Sequence, residues 1–383
     1  MDGCRRQSGE VHQKTRFEIE RLTVKIPEVM KRDQRLDVAR CFMNYMIVLL
    51  HAWAAFQYVP NRGLEFVSWT FICSHLCWMA IPAFFLISGY LFFSNYDLSK
   101  WPAKMRNRMK RLAIPYIAWN LTFVVAYLMM SKLVPRIGTR VETFGIDTIF
   151  GAFSKILSLT VSPIDGPLWF IRAIFLFALV SPLIYLLLKP LKGKFALVCC
   201  LIWCILEPCL GLGDAMHMIA PAYAMLCFVV GGALAVNGKD IVLGFKNKVW
   251  LLLGGIACVI RAVLVLRFQQ ESVIPISVAI QALSVLEAPA LVCLFANIDI
   301  SALTRNKAYL FLKEMSFFAY AGHFLFCSSV LHILAPKLAF MTVGKFSVLI
   351  CIFFFGGILA MTLVFGALRR VCPKLLRLYD GSL

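Results

Sequence analysis

Arg40 and His51 bracket ten residues, CFMNYMIVLL, in which Asn44 is the one strongly polar side chain. At about 100° per residue their separation is three turns plus roughly 20°, so guanidinium and imidazole share one helix face. The rise of about 1.5 Å per residue sets His51 roughly 16 Å beyond Arg40. A neutral imidazole is a natural base for a hydroxyl proton, and a guanidinium fork matches carboxylate or phosphate oxygens. Taken alone, the pair is equally an interior histidine with its hydrogen bonds met and an arginine anchored at a membrane surface.

A second cationic cluster, Lys104-Met-Arg-Asn-Arg-Met-Lys-Arg111, precedes Pro115 and Tyr116. Arg108 and Arg111 are spaced i, i+3 and project from one face of a helix entering an apolar segment. They read either as a charged anchor or as a site for the phosphates of a cytoplasmic ligand. His75, Arg172, Arg261, Glu287 and His323 lie inside apolar stretches. An ionisable group there costs about 2.5–3.5 kcal/mol on insertion scales, so each needs a partner or a task. Glu287 is expected to pair with Arg261 or to face a cavity; His75 has no assigned task.

The elements that must position these residues are membrane helices. The chain has 383 residues, 61% hydrophobic and 15% charged, with a mean hydropathy of +0.80. Soluble domains carry about 45–50% apolar and about 25% charged residues, so a cytosolic enzyme, a disulfide scaffold and a disordered chain are all excluded. Ten stretches suit a bilayer crossing of about 20 residues: 38–58, 66–93, 111–131, 167–188, 194–211, 219–236, 248–267, 274–296, 315–335 and 345–368. Pro82 predicts a kink or break in the second. The net charge of +19 would suggest nucleic acid in a soluble protein. Here the basic residues fall between the apolar stretches: with the N-terminus inside, 29 Lys and Arg are cytoplasmic and 8 external. The expected architecture is an all-α polytopic bundle of about ten transmembrane helices with both termini cytoplasmic. Residues 1–37 form a polar tail without a signal peptide, 38–370 the membrane domain and 371–383 a short tail. The 14 cysteines show no metal-binding spacing and read as small buried hydrophobes.

Five motifs in order resemble the integral-membrane acyltransferase-3 family, which includes bacterial O-acetyltransferases of surface polysaccharides. The first is the Arg-x10-His of Arg40 and His51. Then come Phe84-Phe-Leu-Ile-Ser-Gly-Tyr90, Arg108-Met-Lys-Arg111, Gly166-Pro-Leu-Trp169-Phe-Ile-Arg172 and Ser316-Phe-Phe-Ala-Tyr320-Ala-Gly-His323. The resemblance spans residues 33–370. Phe317 and Ala321 stand where the family usually has Tyr and Leu. The resemblance implies transfer of an acyl group, most often acetyl, from cytoplasmic acyl-CoA to a hydroxyl of a carbohydrate or lipid-linked glycan. His51 would take the acceptor proton or carry the acyl group itself. Arg40, Arg108 and Arg111 would hold the CoA phosphates, with no metal required. Trp169 and Arg172 would meet the acceptor by stacking and hydrogen bonding, or serve as an interfacial pair. His323 would line the site or bond a neighbouring helix, and Glu287 is a further acceptor-side candidate. The implied location is the bacterial cytoplasmic membrane, with lipid and substrates as partners and no nucleic acid.

The competing class is a secondary transporter, in which His51, Arg261 and Glu287 would relay protons or substrate. The cluster of Arg108 and Arg111 fits a polyanionic ligand better than a carried solute.

Overall fold

The computed structural model describes residues 33–54, 64–133, 145, 148–157, 162–210, 221–268, 274–338 and 346–382. All the regular structure among them is helical. The N-terminal tail lies almost wholly outside the described residues, as does much of 132–165. We label the helices α1 (Gln34–Ala54), α2 (Phe66–Phe93), α3 (Leu98–Ser131), α4 (Ile149–Leu157), α5 (Trp169–Leu179), α6 (Ser181–Leu188), α7 (Lys194–Cys209), α8 (Ala222–Val236), α9 (Val249–Arg267), α10 (Ile274–Asn297), α11 (Lys307–Leu338), α12 (Phe346–Val371) and α13 (Pro373–Asp380).

A helix stands at each of the ten apolar stretches, with α5 and α6 sharing the fourth. Among the described residues, α2, α3, α9, α10 and α12 are long and apolar enough to cross a membrane, and the bent pair α5–α6 makes a sixth if counted as one. With 16 and 15 residues, α7 and α8 are shorter than a perpendicular crossing of about 20. The protein is therefore an all-helical, multi-pass membrane bundle. The outer faces of α9 and α12 expose Leu252, Val259, Val263, Phe355, Leu359 and Leu363, the side chains a lipid-facing surface requires.

Prolines shape the helices that carry the site. A proline ring collides with the carbonyl four residues earlier, and the backbone adjusts around it. At Pro82 that carbonyl belongs to Trp78. The strain is taken up by a π turn, Phe71–Leu76, and a 3-10 turn, Cys77–Met79. Of the kink or break expected at Pro82, the break is absent: α2 runs through as one 28-residue segment whose α geometry is interrupted by these turns. Pro115 acts likewise on Arg111, giving the π turn Met109–Ala113 inside α3. The sharp bend, 62°, falls between α5 and α6. Pro182 there frees the Ala178 carbonyl, which accepts the Trp101 indole N–H at 3.3 Å.

The centre of the bundle is the crossing of α2 on α8. A Cβ added at Gly89 would meet the Phe228 carbonyl oxygen at 2.0 Å, and one at Gly231 would meet the Leu86 carbonyl oxygen at 2.0 Å. Two backbones touch because neither glycine has a side chain, the usual basis of close helix packing in membranes. The rings of Phe92, Phe93 and Phe177 close around Phe228.

The stretch expected as a short C-terminal tail includes α13, which folds back onto α3. The Trp119 indole donates to the Tyr379 carbonyl at 3.1 Å, and the hydroxyls of Thr122 and Tyr379 are 2.8 Å apart. Gly381, at φ +71°, sits so close to Arg111 that a Cβ would lie 2.7 Å from its carbonyl oxygen.

Gly89→Ala forces α2 and α8 apart and is expected to cost about 1–3 kcal/mol, as overpacking does. Gly255→Ala, where a Cβ meets nothing within 4 Å, is the control. Thermal unfolding in detergent should show a lower midpoint for Gly89→Ala alone; equal midpoints would mean that the crossing tolerates a methyl group.

Candidate active site

The site is built on α1 and α11, which run parallel. Asp37 pairs with Lys313 at 3.2 Å, Asn44 donates to the Ser316 hydroxyl at 3.3 Å, and the rings of His51 and His323 are 5.2 Å apart. Rising numbers on one helix meet rising numbers on the other. The Tyr45 hydroxyl adds a bond to the Leu312 carbonyl at 2.8 Å. The shared face expected for Arg40, Asn44 and His51 is thus the face that meets α11.

Both imidazoles are oriented by their own helices. His51 Nδ1 lies 2.8 Å from the Ile47 carbonyl oxygen, and His323 Nδ1 lies 2.6 Å from that of Tyr320. A carbonyl only accepts, so each Nδ1 carries the proton, and in the neutral ring Nε2 holds the lone pair. His323 Nε2 is buried with no hydrogen-bond partner among the described residues. Phe324 stands edge-on to His51 with ring centroids 5.7 Å apart. Two bases therefore face one another in an apolar enclosure, an arrangement suited to taking a proton from a hydroxyl and returning it.

A cavity of about 900 Å³ opens at the basic end of this seam, lined by Arg40, Arg108 and Arg111 together with Asp33, Asp240 and Asp380. A smaller one of about 190 Å³ continues inward past Asn44, Phe84, Ser316 and Tyr320. Arg40, Ser88, Arg108, Leu112 and Phe317 line both. Ring faces support the guanidinium groups: Arg40 lies over Phe84 at 5.5 Å and Arg108 over Phe92 at 5.3 Å. The π turn at 109–113 changes the simple i, i+3 geometry, yet Arg108 and Arg111 still face one cavity. Tyr320 is one turn from His323, so the inner cavity leads toward the histidine pair.

The other predicted residues divide. Trp169 opens α5 half-buried against Phe85 and Phe170. Arg172 is buried and donates to the Tyr116 hydroxyl, so it does not snorkel outward; Tyr116 in turn donates to the Ile156 carbonyl at 3.1 Å. Glu287 sits in a separate buried cluster: its Oε1 takes the Arg261 Nε–H at 2.6 Å, and Arg261 Nη2 donates to the His75 carbonyl at 2.8 Å. The structure thus brings His51 to His323 and Arg40 to Arg108 and Arg111, and places Glu287 with Arg261 and His75. Sequence reading missed Asp165, a fully buried carboxylate one residue before the Gly-Pro-Leu-Trp motif. Its only signal was an acidic residue against an apolar run.

The acyltransferase-3 family model, described as an acyltransferase domain, matches residues 33–369. The chain belongs to the acyltransferase-3 family. A curated relative is the succinoglycan biosynthesis protein ExoH of Rhizobium meliloti (strain 1021), 25% identical over 164 residues, which cover 40% of this chain and 43% of ExoH. The match thus spans less than half of that relative. No solved structure matches the chain at a significant level. The family's match, residues 33–369, takes in α1, the seam residues of α11 and the lining of both cavities except Asp380 and Gly381. Within it, Phe317 walls both cavities and Ala321 is fully buried.

The Arg261–Glu287 pair is expected to act in folding. Glu287→Ala leaves a buried guanidinium uncompensated and should cost about 3–5 kcal/mol, whereas the double variant Arg261→Met/Glu287→Leu recovers most of that loss. Thermal unfolding of the three proteins checks this; a double variant as unstable as Glu287→Ala would disprove it.

Proposed function

We propose that the protein moves an acyl group, acetyl in the simplest case, from cytoplasmic acyl-CoA to a hydroxyl of a carbohydrate or lipid-linked glycan. The bacterial cytoplasmic membrane is the proposed setting. The observation that carries this reading is the histidine pair at the inner end of a seam whose other end is walled by three arginines. Membership of an acyltransferase family supports the reaction class, and a relative named for succinoglycan biosynthesis supports a glycan acceptor.

Three guanidinium groups on one cavity suit the phosphates of CoA, and about 900 Å³ is the size of a ligand site. Asp33, Asp240 and Asp380 on the same wall confine the anion to the arginine side. The pantetheine arm is narrow, as is the inner cavity. Asn44 and Ser316, bonded to each other across the seam, offer polar atoms along it.

At the inner end, His51 Nε2 accepts the proton of the acceptor hydroxyl. The oxygen bonds to the acyl carbon as the thioester bond breaks, and the imidazolium returns its proton to the departing thiolate. His323, with its own Nε2 unpartnered, holds the second basic nitrogen beside the first. The apolar ring of Phe324 keeps water from competing as acceptor.

Release of free CoA from acetyl-CoA by protein in liposomes, with glycan acceptors present, tests this. His51→Ala is expected to lose about 10²–10⁴-fold in kcat, the span of general-base catalysis. Arg111→Ala should raise the KM for acetyl-CoA roughly 10- to 100-fold and leave kcat nearly intact. A fully active His51→Ala protein would end the proposal.

A further inference from the structure

Asp165 is the buried carboxyl group for which neither the fold nor the reaction so far has a use. It is completely buried, and neither Oδ1 nor Oδ2 has a hydrogen-bond partner among the described residues. Its backbone, by contrast, is fully engaged. The N–H donates to Asn120 Oδ1 at 3.1 Å, and the carbonyl accepts from Leu168 N at 3.0 Å, closing the turn that opens α5. Asn120 is itself held, its Nδ2 donating to the Tyr116 carbonyl at 2.8 Å. The turn is thus rigidly built around a carboxylate left empty. A buried polar group with its hydrogen bonds unmade costs stability, so proteins retain few of them, and those few call for an explanation.

Its position supplies one. The Tyr320 hydroxyl donates to the Pro167 carbonyl at 2.5 Å, and a Cβ on Gly166 would touch the Phe324 ring at 3.6 Å. The turn that carries Asp165 is therefore clamped to the same turn of α11 that sets His323 against His51. The ionisable groups near the carboxylate are Tyr116 and Tyr320, with Arg172 engaged on Tyr116. Tyr320 also lines the inner cavity. Among the described residues, no guanidinium or ammonium bonds to the Asp165 side chain. A carboxyl group has two oxygens that take hydrogen bonds from more than one donor at once. Beside aromatic rings, which pack on the apolar faces of a pyranose, such a group suits a ligand rich in adjacent hydroxyls.

Resting on the acyl-transfer reading above, we propose that Asp165 binds the acceptor: its two oxygens take hydrogen bonds from neighbouring hydroxyls of a sugar ring and hold a further hydroxyl toward the His51–His323 pair. The acceptor then enters against α5 and α11, while the donor enters from the arginine cavity. The two substrates meet at the imidazoles from different sides of Tyr320.

The test uses the full chain in liposomes, with acetyl-CoA as donor and octyl β-glucoside, octyl β-galactoside and methyl N-acetyl-β-glucosaminide as acceptor probes. Acetylated sugar is read by mass spectrometry, CoA binding by calorimetry, and stability by thermal unfolding. Asp165→Asn and Asp165→Leu should bind CoA as the unaltered protein does. Their KM for the sugar should rise roughly 10- to 100-fold, the loss expected for hydrogen bonds to a charged group, with a smaller change in kcat. Asp165→Glu should recover part of the loss. The ligand-free Asn and Leu variants should also melt no lower than the unaltered protein, because each removes a buried carboxyl that makes no side-chain hydrogen bond among the described residues. Lower melting with CoA binding lost would make Asp165 a structural residue and overturn the proposal. An unchanged sugar KM in Asp165→Leu would overturn it as well. A protein that binds and consumes acetyl-CoA but acetylates none of the three sugars would overturn the carbohydrate assignment alone. Failure to bind or consume acetyl-CoA at all would instead strike the acyl-transfer reading.

Discussion

The parallel packing of α1 on α11 is the contact on which the rest of this bundle depends. Within a bilayer a polar side chain has no water to turn to, so its partners must come from its own helix or a neighbouring one. The seam meets this demand at each level with a different chemistry. An ion pair joins Asp37 to Lys313, an amide–hydroxyl bond joins Asn44 to Ser316, and two imidazoles face each other above them. Polarity falls from charge to neutral ring along the seam. Sliding α11 by one turn would lose all three contacts together, so the ion pair and the amide bond fix the register that makes the histidines neighbours.

Around that seam the prolines set where backbone geometry departs from the α-helix. Pro115 places a π turn under Arg111, and such turns are frequent at functional sites because they redirect a side chain without ending the helix. Pro182 bends the α5–α6 pair by 62° and hands a freed carbonyl to Trp101. The crossing of α2 and α8 at Gly89 and Gly231 explains the small residue inside the Phe84–Tyr90 motif. That glycine serves packing, while Ser88 beside it lines both cavities.

Much of this was legible in the residues. The common face of Arg40, Asn44 and His51 follows from helix periodicity alone, and each apolar stretch forms a helix. The pairing of Glu287 with Arg261 was readable because two opposite charges inside the membrane need each other. What was not legible depends on contacts far apart in the chain. Nothing in the sequence says that His323 packs on His51 across 272 positions. How a helix takes up a proline is not written in the sequence: at Pro82 π and 3-10 turns precede it within one continuous segment, whereas Pro182 stands at a 62° bend. Asp165 resembled a loop residue because exposure, not residue type, distinguishes a solvated acid from a buried one.

The 900 Å³ cavity has a consequence for how the molecule assembles. One side of its wall comes from Asp33, Leu36 and Arg40, the other from Asp380 and Gly381, near opposite limits of the described chain. Contacts of such separation close late in folding, because the loop entropy must be met before they form. The arginines can therefore enter the bilayer boundary early, but the pocket they share exists only after α1 and α13 have both reached α3. Ligand capture at that pocket would report a fully threaded bundle, and a chain arrested midway would carry the charges without the site.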